Sequence, residues 1–232
     1  DSASKPVSRT ELIACTSEKW PMRLRPDEMT ANWQPVMGVD WGTGSDGSER
    51  DEKGRLRTAS YTVVVIGAYV QPGKFHPFFF RRYKGDDAIP TNCIGDIIRL
   101  ARAFNVRLIG SDWGFGWAAN DQLEAAFGAH KVIKYQYVGM QRERMKYDQT
   151  AHKMVVSRTE VMSDFFTAIK KGQFIFPPWA QSQEYLVDIE HIFAEVSSLG
   201  LLKYDHKKTE PDDAAHAMIF AKETADKLLG IW

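Results

Sequence analysis

Cysteine is scarce in this sequence, which limits the kinds of site the chain can form. Only Cys15 and Cys93 occur among the 232 residues, far apart and without the spacing of metal ligands. A disulfide framework and a zinc site are therefore not expected. A reducing compartment is the expected environment.

Charge of one sign and long apolar runs are also lacking. The chain has 30 Lys and Arg residues against 30 Asp and Glu, so a nucleic-acid partner would have to contact a local basic patch. No apolar run approaches the roughly 18–20 residues that span a bilayer, and the first residues are not those of a signal peptide. We therefore expect no membrane association.

The residues that are present predict one globular domain preceded by an arm. A hydrophobic content of 44% is enough for one sizeable core. Residues 1–35 carry turn formers and charges that interrupt any period, so we expect a linker or arm with at most one short helix. The compact domain is predicted over residues 36–232. Because the chain does not begin with Met, we expect it to be part of a longer protein.

The hydrophobic pattern predicts three strands followed by alternating helices and strands. The predicted elements are strands over 36–41, 60–70 and 74–83, a helix over 94–104, a strand ending at Asp112, a helix over 117–127, a strand over 131–138, a helix after a capping box at Ser157 and Glu160, a further helix towards 196, and a last helix over 211–229. Pro77 indicates an edge strand or a bulge. This order is the ribonuclease H-like arrangement, an α/β fold with a mixed five-stranded sheet flanked by helices.

Acidic residues stand at three positions that this fold would bring together. Asp40 ends the first strand, Asp112 ends the fourth, and Asp212 and Asp213 open the last helix. Carboxylates that share a site repel one another unless a divalent cation neutralises them. Oxygen ligands suit Mg²⁺ or Mn²⁺, and two such ions about 4 Å apart support phosphodiester hydrolysis. Each acid taken singly is more often a turn residue or a helix cap.

The third ligand is a choice between two neighbours. Asp213 shares a helical face with Ala217 and Phe220, whereas Asp212 points about 100° away. We therefore favour Asp213 over Asp212 as the third metal ligand. His216, one turn further along, is either a residue that supports the ligands or an ordinary helix residue.

Four motifs in this order resemble the C-terminal nuclease domain of the large terminase subunit of tailed phages. They are GVDWG, SDWGFG, SRTEVMSDFFTAIKKGQFIFP and PDDAAHAMIFA, and the resemblance spans residues 36–225. It implies a ribonuclease H-like fold, Mg²⁺ or Mn²⁺ as cofactor, and cleavage of concatemeric viral DNA during genome packaging. The metal-binding acids would be Asp40, Asp112 and either Asp213 or Asp212.

The resemblance also implies partners and a location. A large terminase contains an ATPase, but this chain has no phosphate-binding loop of the form G-x-x-x-x-G-K-[ST]. We therefore expect an isolated nuclease domain whose ATPase lies on a preceding segment of the same polypeptide. Double-stranded DNA, the portal and the small terminase subunit would be its partners, in the cytoplasm of the host cell.

Local basic clusters near the acids are predicted to contact DNA phosphates without reading bases. They comprise Arg142, Arg144 and Lys146 after the fifth strand, and Lys203, His206, Lys207 and Lys208 before the last helix. The aromatic residues Trp41, Trp113, Phe115 and Trp117 also lie near the acids in sequence, where core packing is the more general role of such residues.

Three other functions fit parts of the same sequence. A Holliday-junction resolvase or transposase of this fold would use the same acids. The stretch VDWGTGS is similar to the first phosphate loop of actin-like sugar kinases and ATPases, although those proteins need two such domains. A non-catalytic module for DNA packaging would keep the acids but neither bind metal nor cut DNA.

Overall fold

The computed structural model describes residues 4–48, 50, 52–55, 57–139, 143–197 and 200–231. Its helices and strands follow the order of an α/β fold. The strands are β1 (Val36–Asp40), β2 (Thr62–Gln71), β3 (Lys74–Tyr83), β4 (Leu108–Asp112), β5 (Val132–Val138), β6 (Met145–Asp148), β7 (Lys153–Ser157), β8 (Phe193–Val196) and β9 (Leu202–Asp205). The helices are α1 (Arg9–Ala14), α2 (Glu28–Ala31), α3 (Pro90–Ala103), α4 (Trp117–Phe127), α5 (Arg158–Lys170), α6 (Trp179–His191) and α7 (Asp213–Leu229).

Seven strands form one mixed sheet in the order β3-β2-β1-β4-β5-β7-β6. β1 pairs antiparallel with β2 and parallel with β4, and β5 and β7 continue the parallel part. β3 is an edge strand, and its register against β2 shifts next to Pro77, as the proline predicted. β8 and β9 pair as a separate hairpin.

The ribonuclease H-like α/β prediction is confirmed, but the predicted count of five strands is too low. The five predicted strands form a continuous block, and β7 and β6 extend it beyond β5. β6 is short and partly exposed, so it lacks the apolar run on which the prediction depended. The segment predicted to be a helix up to residue 196 contains α6 and then β8.

Two local predictions are wrong. Ser157 precedes α5, but its side chain makes no capping hydrogen bond, because the residue ends β7 and its N–H donates to the Arg144 carbonyl. Residues 4–35 contain two short helices, α1 and α2, and each begins with a capping box. Their interrupted sequence shows no apolar period long enough to predict two helices.

The segment before β1 packs against the rest of the chain. Val7 and Leu12 are buried, and Cys15 donates a hydrogen bond from its thiol to the Ile169 carbonyl. The Ser4 N–H donates to the Ala194 carbonyl in β8 at 3.1 Å. The division between an arm and a compact domain at residue 35 stays a prediction.

α7 lies unusually close to the sheet because two strands carry glycine beneath it. A Cβ atom on Gly38 would lie 2.0 Å from the Ala217 carbonyl oxygen, and one on Gly110 would lie 2.1 Å from the Thr224 hydroxyl. These distances are far inside van der Waals contact. The helix can therefore cross β1 and β4 only where side chains are absent.

Each face of the sheet has its own apolar core. One core lies under α5, α6 and α7, and the other lies under α3 and α4. Both faces of the central strands are thus covered, which explains the near-continuous apolar sequence of β2. None of the described helices is long and apolar enough to cross a bilayer.

Gly38→Ala should lower the free energy of unfolding by about 3 kcal/mol, and hence the melting temperature by roughly 6–12 °C, because the new methyl group clashes with the α7 backbone. Gly95→Ala is the matched control, since nothing lies within 4 Å of the added Cβ. That control should be neutral or stabilising by up to about 1 kcal/mol, because Ala favours helix over Gly. Thermal unfolding measures both, and equal melting temperatures for the two variants would contradict the packing argument.

Candidate metal centre

Two carboxylates lie side by side at the carboxyl ends of the neighbouring central strands β1 and β4. β1 and β4 are parallel and pair Val39 with Ser111, so Asp40 and Asp112 follow at the same level on adjacent strands. The carboxyl ends of neighbouring parallel strands are where ligand sites form in α/β sheets. The predicted proximity of these two acids is therefore observed.

The same face of the sheet carries these acids and the two glycines under α7. Side chains alternate along a strand, so Asp40 lies on the face of Gly38 and Asp112 lies on the face of Gly110. Both strands thus end in the pattern Gly-x-Asp. In each triplet the glycine lets α7 pack closely on the strand, and the aspartate lies near the first residues of α7. The repeated Gly-x-Asp triplet is therefore a sequence signal for the site.

Asp213 reaches this edge as the first residue of α7. The Tyr61 backbone N–H donates to its Oδ2 atom at 3.1 Å. In the same turn, the Ala214 N–H donates to Oδ2 of Asp188 at 2.8 Å. Asp188 is completely buried and pairs with Arg82 at 2.7 Å. This buried ion pair therefore anchors the first turn of α7, and with it the position of Asp213.

Asp188 and Arg82 were not identified from the sequence. Asp188 occupies a core position in the apolar pattern of α6, next to the buried Ile189. An acid at a core position is a rare feature and is the signal that could have found it. Burial raises the pKa of Asp188 to about 6, although Arg82 and the Ala214 N–H oppose that rise.

Asp40 lies in an electrostatically unfavourable environment. Burial raises its pKa well above the ordinary value, and repulsion from neighbouring acids, with Asp213 first among them, raises it further. Of the groups that dominate this pKa, only Arg158 favours the ionised form. A carboxylate in this position needs a cation to remain ionised at neutral pH.

The other two acids of the predicted triad are shifted in the same direction. Burial raises the pKa of Asp213 well above its usual value, and Asp212 raises it further. Burial also raises the pKa of Asp112, although the backbone N–H groups of Phe115 and Gly114 partly offset the rise. Asp40, Asp112 and Asp213 therefore have too few hydrogen-bond donors and cations around them to balance three negative charges.

Asp212 has the opposite environment. Its Oδ2 lies 2.9 Å from Nε2 of His216 and 3.7 Å from Nη2 of Arg158, and its Oδ1 lies 3.5 Å from Nε2 of His206. Burial disfavours ionisation of Asp212, but these three basic groups outweigh burial and lower its pKa to about 2. Asp212 is thus already neutralised by side chains, which distinguishes it from Asp213.

His216 connects Asp212 to the sheet. Its Nδ1 lies 3.0 Å from the hydroxyl of Tyr137, while its Nε2 lies against Asp212. Arg158 lies beside both, with its Nη1 donating to the Tyr204 carbonyl at 2.9 Å. Arg158 was not identified as a site residue, although it lies in one of the four motifs, because that motif was interpreted as a capped helix with no role for its individual side chains.

The donor set fits a divalent cation in its chemistry. Asp40, Asp112 and Asp213 offer carboxylate oxygens alone, which Mg²⁺ and Mn²⁺ prefer. Among the described residues, no group of three His, Cys, Asp or Glu side chains converges closely enough to hold a metal ion in this conformation. Burial raises the pKa values of Asp40 and Asp213, and repulsion from neighbouring acids raises them further, so ionised carboxylates approach one another more closely only with a cation between them.

The basic residues before α7 make pairs within their own loop. Lys203 forms an ion pair with Asp205, and Lys207 pairs with Glu210 at 3.1 Å. Lys208 is exposed. Only His206 of this predicted group reaches the carboxylates, through its contact with Asp212.

The basic residues after β5 lie further away. Arg144 donates from Nη1 to Glu223 at 3.0 Å and from Nε to Asp164 at 2.6 Å. Glu223 lies nearly three turns along α7 from its first residue. Lys146 is exposed on β6, and Arg142 lies outside the described residues. The assignment of these residues to DNA contacts stays a prediction.

Comparison with solved structures identifies the fold. Over 88% of its length the chain resembles the large terminase nuclease from thermophilic phage G20c, with 92% of that chain covered, 12% identity and a TM-score of 0.54. The large terminase nuclease domain of Thermus phage P74-26 matches with 12% identity and a TM-score of 0.56, covering 89% of this chain and 90% of that chain.

A longer large terminase from another thermophilic bacteriophage matches 97% of this chain, but only 43% of its own length is covered, at 12% identity and a TM-score of 0.58. Two further structures of the G20c nuclease contain magnesium and cobalt. No protein-family model and no curated protein sequence matches the chain. The chain therefore has the fold of the phage large terminase nuclease domains.

Asp40→Asn should stabilise the metal-free protein at pH 8. The folded-state pKa of Asp40 lies above its unfolded value, so ionisation of this carboxylate destabilises the fold. The destabilisation is complete above the folded-state pKa and disappears as the pH falls towards the unfolded-state pKa of about 4. Melting curves in EDTA should show a melting temperature a few degrees above the parent at pH 8, with the difference shrinking in acid.

Glu28→Gln is the control for this measurement, because Glu28 is exposed and precedes the opposite end of β1. It should leave the melting temperature unchanged at every pH. A lower melting temperature for Asp40→Asn across the whole range would show that the carboxylate stabilises the fold, against the electrostatic argument.

Proposed function

We propose that the chain is a divalent-metal-dependent DNA endonuclease that cuts concatemeric viral DNA during genome packaging. The observation that carries the proposal is the placement of Asp40, Asp112 and Asp213 at the carboxyl ends of β1 and β4 and the start of α7, where burial raises the pKa of each and repulsion from Asp213 and Asp112 raises that of Asp40 further. Likeness to terminase nuclease domains, two of them with a bound divalent metal, supports the same activity.

Asp40, Asp112 and Asp213 are the proposed ligands for Mg²⁺ or Mn²⁺, and two ions are expected. Bound there, the ions supply a nucleophilic water and neutralise charge on the leaving oxygen of a phosphodiester. The protein keeps the three carboxylates on rigid elements, with Asp213 held by the Tyr61 N–H. The backbone positions of the ligands are thus set by the fold, and their side chains would close around the ions when these bind.

Asp212 serves a supporting role in this proposal. Because Asp212 is neutralised by His216, His206 and Arg158, it has no comparable need for a metal ion. Its contacts instead hold a cluster of basic groups beside the acids. Arg158 and His206 would then face the negative phosphodiester, as basic groups do at phosphate sites.

The biological setting is proposed from the fold. We propose that the chain acts with an ATPase domain on the same polypeptide, with the portal and with the small terminase subunit. Double-stranded DNA is the proposed substrate, in the cytoplasm of a phage-infected cell. The longer terminase, of which this chain covers 43%, supports an arrangement with an additional domain.

Plasmid cleavage tests the activity. Supercoiled DNA incubated with the protein and Mn²⁺ or Mg²⁺ should become nicked and then linear, and EDTA should prevent both. Asp40→Asn and Asp112→Asn should each lower the rate by at least about 100-fold, because each removes a metal ligand. Glu28→Gln should cut at the parental rate. Cleavage that survives either aspartate substitution would exclude this site.

The assignment of the third ligand is tested by Asp213→Asn and Asp212→Asn. Asp213→Asn should abolish both cleavage and the rise in melting temperature on addition of Mn²⁺, because a ligand is lost. Asp212→Asn should keep the Mn²⁺-dependent rise but cut more slowly, because only the contacts to His216 and Arg158 change. The reverse pattern would make Asp212 the ligand.

A further inference from the structure

Two aromatic side chains beside the acid cluster are exposed to solvent. Phe115 is 52% exposed and Trp117 is 69% exposed, although large apolar groups are usually covered. They belong to the loop and the first turn of α4 that follow Asp112. Trp41, another aromatic residue near the acids, is buried, so core packing accounts for that residue but not for this pair.

The loop that carries the pair is fixed to the acid and to the core. The Phe115 N–H donates to Oδ2 of Asp112 at 3.2 Å. A Cβ atom on Gly116 would lie 1.9 Å from Cδ1 of Trp41, so the loop backbone packs directly on that indole ring. The Trp41 Nε1–H donates to the Ser111 hydroxyl at 2.7 Å. The rings of Phe115 and Trp117 are therefore presented from a rigid support.

Rigid exposed aromatic rings are suited to stacking, because little conformational entropy is lost on binding. The carboxylate of Asp112 is held by the loop, and Asp121 lies one turn after Trp117 on α4. These acids repel phosphate groups at the rings themselves. The group that meets the rings should therefore be the uncharged face of a nucleobase, with phosphates placed to either side.

A basic side chain contacts the residue between Asp112 and the loop that carries the rings. Lys153 Nζ lies 3.6 Å from the centre of the Trp113 ring, which directly follows Asp112. Lys153 also lines a cleft of about 360 Å³ together with Lys134, His130, His152 and Tyr147. The segment that follows Asp112 thus carries two exposed aromatic rings and contacts one basic side chain, and aromatic rings with basic groups are the combination that binds single-stranded nucleic acid.

We propose that Phe115 and Trp117 form a base-stacking site for DNA at the edge of the metal centre. The site takes a base that is unpaired next to the cut, while Lys153 contacts a phosphate of the same strand. This inference rests on the proposed nuclease function, since it assumes that the strand lies across Asp112.

Binding of a fluorescein-labelled oligothymidine, measured by anisotropy in EDTA at low salt, tests the proposal without cleavage. Phe115→Ala and Trp117→Ala should each weaken binding by about ten-fold, since stacking of one base is lost. Leu24→Ala is the control, because Leu24 is 81% exposed and follows Arg23, whose N–H donates to the Phe78 carbonyl in the edge strand β3. It should bind like the parent, and all variants should melt at the parental temperature.

Trp117→Phe separates stacking from a structural effect. A phenyl ring can still stack, so affinity should stay close to that of the parent. The quenching of tryptophan emission on addition of oligothymidine should nevertheless fall sharply, because the stacked indole is gone. Parental affinity for Phe115→Ala and Trp117→Ala, or full quenching in Trp117→Phe, would overturn the proposal.

Plasmid cleavage by the same proteins distinguishes the two proposals. If the parent cuts DNA with Mn²⁺ but Phe115→Ala and Trp117→Ala bind and cut as the parent does, the stacking site is excluded and the nuclease function stands. If the parent binds oligothymidine through these rings but does not cut with any metal, the nuclease function fails and the stacking site stands. A parent that neither binds nor cuts excludes both.

Discussion

The close approach of α7 to β1 and β4 is the constraint on which the rest of the site depends. Gly38 and Gly110 leave no side chain between the helix and the strands, so the helix axis is fixed against two parallel strands at once. The acids follow two residues later on each strand, and the helix begins at the same edge. A single packing contact therefore sets the separation of three carboxylates that come from distant parts of the chain.

The same constraint makes the metal-free site electrostatically unfavourable. Carboxylates on flexible loops would move apart, but here a sheet and a helix hold them, and the buried pair of Arg82 and Asp188 holds the helix start. Burial, together with repulsion from neighbouring acids, then raises the pKa values of Asp40 and Asp213. Proteins commonly accept such local destabilisation at functional sites, where a bound ion or substrate offsets it.

Much of the fold could be predicted from the sequence, because the central strands and α4 have unambiguous periods. The strand β3 was predicted over its observed residues, and α4 was predicted from Trp117 to Phe127. The edge strand β6 was missed because it is short and carries no continuous apolar run, and β7 was missed although its three apolar residues, 154–156, lie just before α5. The capping box at Ser157 failed because that residue is already committed to the sheet, and backbone pairing overrides a local side-chain preference.

The acids could be predicted, and His206 and His216 were named near them, whereas two further partners could not. Asp40 and Asp112 stand at strand ends, and a fold with parallel neighbours must bring such ends together. Arg158 and Asp188 reach the site from separate elements, and no spacing in the sequence connects them. Their identification requires the tertiary structure, because long-range pairing of charges leaves no periodic trace in the chain.

The contrast between Asp212 and Asp213 shows how position on a helix divides two identical side chains. The N–H of Tyr61 holds Asp213 on the sheet side, where the other carboxylates surround it. Asp212 precedes the helix and turns towards His216, one turn further along, which supplies a basic group at hydrogen-bonding distance. Sequence adjacency would suggest interchangeable ligands, but their opposite pKa shifts argue for separate roles. Asp212 already has basic partners within the protein and therefore competes poorly for a metal ion. Burial and repulsion from Asp212 instead raise the pKa of Asp213, so Asp213 is the proposed ligand.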